Sequence, residues 1–286
     1  MIPKVIYQIW LGDKIPKIQS AIIRLNRDMC KKQGFSYKLI RTRNITKSTF
    51  PQVFPYINKL LKLKDKSKYA QISDLLRYEL LYNKGGIYAD VGIELKNLKI
   101  LNNFIYKANK SNKYLLLCHN DPEKYCKPFY CNWHGSRMQI SNSFICSIPE
   151  NEILGRLINT KKLKKLRLGR NNVNLQTGPY YFRSIMRNTN RNRITFIPTK
   201  YIFPFNWNQV VPYTQILYKS KNKCVSYTKP KVGKYVTSTD QCNNKIYVNL
   251  PCNKYKNVIG IKHWDVGGSW ISKNFLNYEC TRIKTL

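Results

Sequence analysis

Carboxylates are scarce in this chain: 14 Asp and Glu stand against 51 Lys and Arg in 286 residues, a formal net charge of +37. That balance excludes an acidic surface and makes the place of each remaining acid informative. Long apolar runs are missing too. No stretch reaches the roughly 18 consecutive apolar residues of a transmembrane helix. The N-terminus, Met1-Ile2-Pro3-Lys4-Val5-Ile6, lacks the basic segment and apolar core of a signal peptide. A soluble, cytoplasmic protein is the expectation. No CxxC pair occurs among the nine cysteines. Cys118, His119, Cys126, Cys131 and His134 are of metal-binding types, but their spacing matches no structural zinc site. Nine cysteines in a core-rich chain of this length do not form a disulfide scaffold, and an odd number leaves at least one thiol unpaired within the chain. Cys224, Cys242 and Cys252 fall in a polar, lysine-rich stretch that reads as a surface insertion.

What is present argues for a folded protein. Hydrophobic residues make up 43% and aromatic residues 13%, which excludes a disordered basic tail. Neither a repeat nor a low-complexity linker divides the sequence, so a single domain over 1–286 is expected, with a regular half (1–110) and an irregular half (111–286). Basic residues are spread along the chain, denser at 59–68 and 161–170. Specific nucleic-acid recognition calls for a basic element confined to one arm or face. A solvated basic surface that binds nucleic acid without specificity is the expectation.

Residues 4–10 form an apolar run closed by Leu11-Gly12, the pattern of a buried strand ending in a turn. A helix over 20–32 and a strand over 35–40 follow. The pattern over 67–84 predicts a long helix that Gly85-Gly86 ends, since glycine accepts the left-handed conformation beyond a C-cap. A strand over 87–91 comes at once. Strands alternating with helices predict an α/β fold with a mostly parallel sheet, which binds ligands at the carboxyl ends of its strands. Beyond 110 the spacing predicts strands at 114–117, 142–147, 195–197, 246–248 and 258–261, and a basic amphipathic helix over 153–168.

Four of the few acids, Asp74, Glu79, Asp90 and Glu94, lie within 21 residues. Asp74 and Arg77 share one face of the long helix. Ala70, Tyr78 and Leu81 surround them, and Tyr69, Ile72, Leu76 and Leu80 form the opposite face. A helix apolar on two sides is buried, so Asp74 needs a partner at low dielectric. The Asp74–Arg77 pair either satisfies itself or serves a ligand. Asp90 ends an apolar strand straight after Gly-Gly. There an α/β protein places a ligand or a metal, and a plain turn aspartate is the other reading.

The stretch Ser73-Asp74-Leu75-Leu76-Arg77-Tyr78, then Gly85-Gly86-Ile87-Tyr88-Ala89-Asp90-Val91-Gly92, resembles the DXD-containing sugar-nucleotide region of family 32 (Och1-like) glycosyltransferases. Ile2-Pro3-Lys4-Val5-Ile6-Tyr7-Gln8-Ile9-Trp10 is similar to that family's opening motif. Thr177-Gly178-Pro179 resembles its Thr-Gly-Pro turn, and Lys262-His263-Trp264-Asp265-Val266-Gly267-Gly268-Ser269-Trp270 its closing motif. Four matches in the right order span residues 2 to 270. The resemblance implies a GT-A fold, a Rossmann-like mixed sheet flanked by helices, with a donor-binding first half and an acceptor-side second half. It implies transfer of a sugar from a UDP- or GDP-sugar to a glycan, protein or lipid acceptor, with retention of configuration. Mn²⁺ or Mg²⁺ would stabilise the charge developing on the leaving diphosphate. Carried over by position, Trp10 stacks on the base, while Asp74 and Arg77 hold the donor sugar and ribose. Asp90 is the first aspartate of the motif and, with Arg77, the catalytic centre. His263 is a metal or phosphate ligand, and Ser269 and Trp270 close over the diphosphate.

Two positions depart from the family pattern. Tyr7 stands where the opening motif has His, and Gly92 where the second aspartate belongs. Three consequences of Gly92 follow. Glu94, two residues on and in an extended strand on the same side, takes over as metal ligand where the backbone bends, a bend that Gly92 permits. Alternatively the metal is held by Asp90, His263 and phosphates, or nearby Lys and Arg replace it. In the third case the protein binds donor without transferring it.

Overall fold

The apolar run at the N-terminus becomes β1 (Val5–Trp10), flanked in parallel by β2 (Ser36–Arg41) and β3 (Gly86–Ala89). The computed structural model describes residues 1–64, 68–119, 140–165, 173–186, 189–203, 216–220, 223–227, 247–248 and 257–262. Further strands are β4 (Ile93–Leu95), β5 (Leu115–His119), β6 (Ile140–Ser147) and β7 (Ile194–Phe196). The central sheet has the order β2-β1-β3-β6-β5-β7. It is mixed, because β6 runs antiparallel to both β3 and β5 while the other pairs are parallel. Strands β8 (Ile216–Ser220), β9 (Lys223–Tyr227) and β10 (Tyr247–Val248) form an antiparallel sheet, and β11 (Gly260–Lys262) pairs with β4. The predicted strands over 195–197, 246–248 and 258–261 fall on β7, β10 and β11.

Helices cover both faces of the central sheet, and the alternation of its strands assigns each residue to one of two cores. Tyr7, Ile9, Tyr88, Leu115, Leu117 and Ile145 pack with α2 (Phe54–Leu61) and α3 (Lys68–Lys84). Ile6, Ile87, Ala89, Leu116, Cys118, Phe144 and Cys146 pack on the other face with α4 (Leu98–Lys110), beside α1 (Lys17–Lys32). This alternation positions the site. Tyr88 faces α3, so Asp90, two residues on, faces α3 as well. Within α3 Gln71, Ile72 and every residue from Asp74 to Leu81 are buried, as a helix apolar on two sides requires. Among the described residues no helix is long and apolar enough to cross a membrane.

The passage from α3 into β3 depends on the two glycines. Gly85 at φ +61° caps the helix, its amide donating to Leu81 O at 2.9 Å, and Gly86 follows at φ +100°. A Cβ on Gly86 would lie 2.8 Å from the carbonyl oxygen of Val5 on the adjacent strand, whereas one on Gly34 at φ +72° would meet nothing within 4 Å. Gly34→Ala is therefore expected to cost about 1 kcal/mol for its conformation alone. Gly86→Ala, with strain and a backbone clash together, is expected to cost about 3 kcal/mol. Urea unfolding of the two variants measures the difference.

One expectation fails here. The basic segment 153–168 is not a single helix but α5 (Glu152–Leu157) and then α6 (Thr160–Leu163). Asn159 separates them with non-helical φ −58°, ψ 120°, and its side chain accepts the amides of Lys161 and Lys162. An asparagine that satisfies free helix-start amides begins a new helix rather than continuing the old one. Further on, α7 (Val173–Gln176) and α8 (Pro179–Met186) flank the Thr177-Gly178 turn. Tyr56 in α2 donates to Thr160 O at 3.0 Å, which ties α2 to the start of α6.

Candidate active site

The acids clustered in sequence separate into different roles once folded. Glu79 is buried and accepts the amides of Gln52 and Val53 at 2.8 and 2.9 Å, so it caps the start of α2 and takes no part in a site. Asp74 is buried in α3, where Oδ1 accepts from Asn142 Nδ2 and Oδ2 from Thr177 Oγ1, both at 2.8 Å. Asn142 comes from β6 and Thr177 from the turn between α7 and α8, so three remote segments meet at one carboxylate. Tyr78 closes the group: its hydroxyl donates to Thr177 O at 2.7 Å and accepts from Asn142 Nδ2 at 3.0 Å.

Arg77 joins Asp74 to the end of β3. Its Nη2 lies 3.2 Å from Asp74 Oδ1 and its Nη1 3.2 Å from Asp90 Oδ1. Other guanidinium hydrogens go to Asn142 O at 2.7 Å and Ser73 Oγ at 3.1 Å. The plane sits 4.4 Å from the centroid of the Tyr88 ring. A planar fork of five donors serves so many acceptors where an ammonium would not. Asp74 and Arg77 are thus not a pair that satisfies itself, because the guanidinium is shared between two aspartates.

Asp90 is held at its backbone and at both carboxylate oxygens. Its amide donates to Ser143 O at 2.8 Å, and its carbonyl accepts Ile93 N at 2.9 Å and Gln8 Nε2 at 3.0 Å. Tyr88 O–H donates to Oδ1 at 2.8 Å, and Lys262 Nζ, from β11, donates to Oδ2 at 2.6 Å. Burial by itself would raise the Asp90 carboxyl, but Lys262 and then Arg77 outweigh it and hold the group below its ordinary value. At Asp74 burial dominates and pushes the carboxyl up to about 6, against the pull of Arg77 and of the Thr177 and Asn142 hydrogen bonds. Asp90 remains the more exposed, its side chain 24% accessible against 7% for Asp74, so of the two it is the carboxylate open to solvent.

The other expected site residues divide. His263, Ser269 and Trp270 lie outside the described residues, as do Cys126, Cys131 and His134. Trp10 ends β1 as expected, with its indole N–H donating to Lys14 O at 3.1 Å. Alternation along β1 sends it to the α1 face of the sheet, opposite Tyr7 and Ile9. The bend at Gly92 that a metal-binding Glu94 requires is present. The chain turns between Asp90 and Ile93, and β4 then pairs with β11 so that Ile93 faces Lys262 and Glu94 faces Ile261. Neighbours along a strand point to opposite faces. Lys262 therefore reaches Asp90 from one face while Glu94, bonded to Lys96, projects from the other.

A divalent cation needs several oxygen ligands at once. Here both Asp90 oxygens are engaged by cations, Glu94 projects away, and Gly92 offers no side chain. Among the described residues no three His, Cys, Asp or Glu side chains come together in a metal-binding group. The donor set of the described residues does not suit Mn²⁺ or Mg²⁺. Lys262 is the site residue missed in the sequence. One lysine among 51 basic residues carries no signal, although its place just before His263 in the closing motif was a pointer.

A buried carboxylate–guanidinium network stands at the carboxyl end of a central strand, where open α/β sheets as a class bind their ligands. The chain belongs to the family described as capsular polysaccharide synthesis protein, which matches residues 1–162. It is 28% identical over 228 residues to "Uncharacterized glycosyltransferase L373" of Acanthamoeba polyphaga mimivirus, an alignment covering 75% of this chain and 78% of that protein. Among solved structures it resembles the PaToxG glycosyltransferase at 19% identity, with a TM-score of 0.43 and coverage of 65% of this chain and 69% of that one. Mouse xyloside xylosyltransferase 1 aligns at 9% identity and a TM-score of 0.41, covering 70% of this chain and 87% of the other.

Proposed function

We propose that this protein is a glycosyltransferase of the GT-A type, akin to family 32, that moves a hexose from a nucleotide-sugar to an acceptor hydroxyl with retention at the anomeric carbon. The observation that carries this reading is the shared guanidinium of Arg77 between buried Asp74 and the more exposed Asp90. Membership of a capsular polysaccharide synthesis family and likeness to a named glycosyltransferase support it.

The chemistry suits the groups present. A sugar offers hydroxyls that donate to a carboxylate and accept from a guanidinium, while a diphosphate needs cationic donors. In the transfer the bond from C1 to the diphosphate oxygen breaks, with its electron pair staying on that oxygen. The acceptor oxygen bonds to C1 on the same face, and its proton passes to the departing diphosphate. No protein nucleophile enters. Trp10, at the end of β1, is the residue this reading assigns to stack on the base.

A panel of UDP- and GDP-sugars tested by thermal shift identifies the donor. One of them is expected to stabilise the protein by about 2.7 kcal/mol at a hundredfold excess over its dissociation constant. The same donor should then be hydrolysed or transferred, with the product anomer read by NMR. If no nucleotide-sugar stabilises the protein and none is consumed, the reading fails. Gly92 favours one second reading, a relative that binds donor without transfer, which stabilisation without turnover would establish.

A further inference from the structure

Lys262 meets the more exposed carboxylate of the cluster. The pairing of β11 with β4 sets Lys262 opposite Ile93, three residues beyond Asp90, and its ammonium bonds Asp90 Oδ2 at 2.6 Å. Its side chain is only 11% exposed, so a well-aligned partner must offset the loss of hydration. On the other oxygen Arg77 lies at 3.2 Å and Tyr88 at 2.8 Å. Asp90 is thus enclosed by two cations from two different elements.

The charges balance. Asp74 and Asp90 contribute two negative charges, Arg77 and Lys262 two positive, and the cluster sums to zero before any ligand arrives. Two aspartates without these cations would repel a diphosphate unless an ion neutralised them. Here the neutralising charge belongs to the chain. An ammonium on a four-carbon stem is a compact point charge that re-aims from carboxylate to phosphate by rotation about its own bonds.

We propose that Lys262 takes the place of a divalent cation: with Arg77 it binds the donor's diphosphate and stabilises the charge left on it, so that the transfer needs no metal. This rests on the glycosyltransferase reading above. It also accounts for Gly92, since a site whose cation is a lysine has no use for a second aspartate.

The test is calorimetric binding of UDP and GDP to the full chain, in EDTA and in MnCl₂, with Mn²⁺ binding to the nucleotide-free protein followed by EPR. Wild type is expected to bind one of the two nucleotides equally well in both media and to bind no Mn²⁺ alone. Lys262→Ala should weaken that nucleotide in EDTA by about tenfold or more, the factor that 1.4 kcal/mol carries. Lys262→Arg should keep most of the affinity, which separates loss of charge from loss of fold. Lys262→Ala combined with Gly92→Asp should acquire Mn²⁺ binding. Nucleotide affinity in wild type that vanishes in EDTA and returns with MnCl₂ overturns the inference and leaves the glycosyltransferase standing, and so does an unchanged affinity in Lys262→Ala. Binding of neither nucleotide in either medium overturns the glycosyltransferase reading, and this inference with it.

Discussion

Arg77→Met is expected to lose about 3–5 kcal/mol of folding stability at neutral pH, the size of effect when one partner of a buried ion pair is removed. The side chain is 7% exposed and serves Asp74, Asp90, Ser73 and Asn142 while lying over the Tyr88 ring. Methionine fills similar space and restores none of those bonds. Asp74 then loses the cation that opposes its burial, and its carboxyl, already at about 6, rises further. The sign of the pH effect follows. An aspartate whose folded value lies above the unfolded value of about 3.9 keeps its proton longer in the fold. The resulting penalty is absent at low pH and grows as the pH climbs to the folded value. The deficit of Arg77→Met against wild type should therefore be smaller at pH 5 than at pH 8. Urea unfolding at both values measures it, and an equal deficit would mean that Arg77 does not govern Asp74.

How much of this was legible in the sequence depends on whether a feature is set locally. The buried run at 4–10, the long helix ended by Gly85-Gly86 and the strand carrying Asp90 were all readable, because hydrophobic periodicity and glycine conformation act over a few residues. The pairing of Asp74 with Arg77 was readable from helical spacing as well. Their remote partners were not: Asn142 and Thr177 reach Asp74 across 68 and 103 residues of sequence. Glu79 shows the converse. Its position among the acids suggested a shared role, yet a long-range contact makes it the cap of a helix that begins 25 residues earlier, at Phe54. Lys262 was hidden by composition, since in a chain with 51 basic residues only the register of β4 against β11 distinguishes it. The net charge of +37 was the loudest feature of the sequence, and two of its charges are the ones this site uses.

Asp90→Asn is expected to lower turnover by about 10²–10³, the scale on which preorganised charge acts in an active site, while the protein stays folded and keeps its nucleotide affinity. The amide retains an oxygen that accepts from Tyr88 and Arg77 at the Oδ1 position. At the Oδ2 position it places an NH₂ against the ammonium of Lys262, donor facing donor, so Lys262 loses its anchor. The cluster moves from zero to one positive charge, which favours binding of a diphosphate. What is lost is direction, because neither cation is then fixed where charge develops as the sugar leaves. Turnover and affinity should separate: a large fall in kcat with a nucleotide Kd within about tenfold of wild type. Parallel loss of both would make Asp90 a binding residue alone. Turnover within threefold of wild type would remove Asp90 from the chemistry altogether.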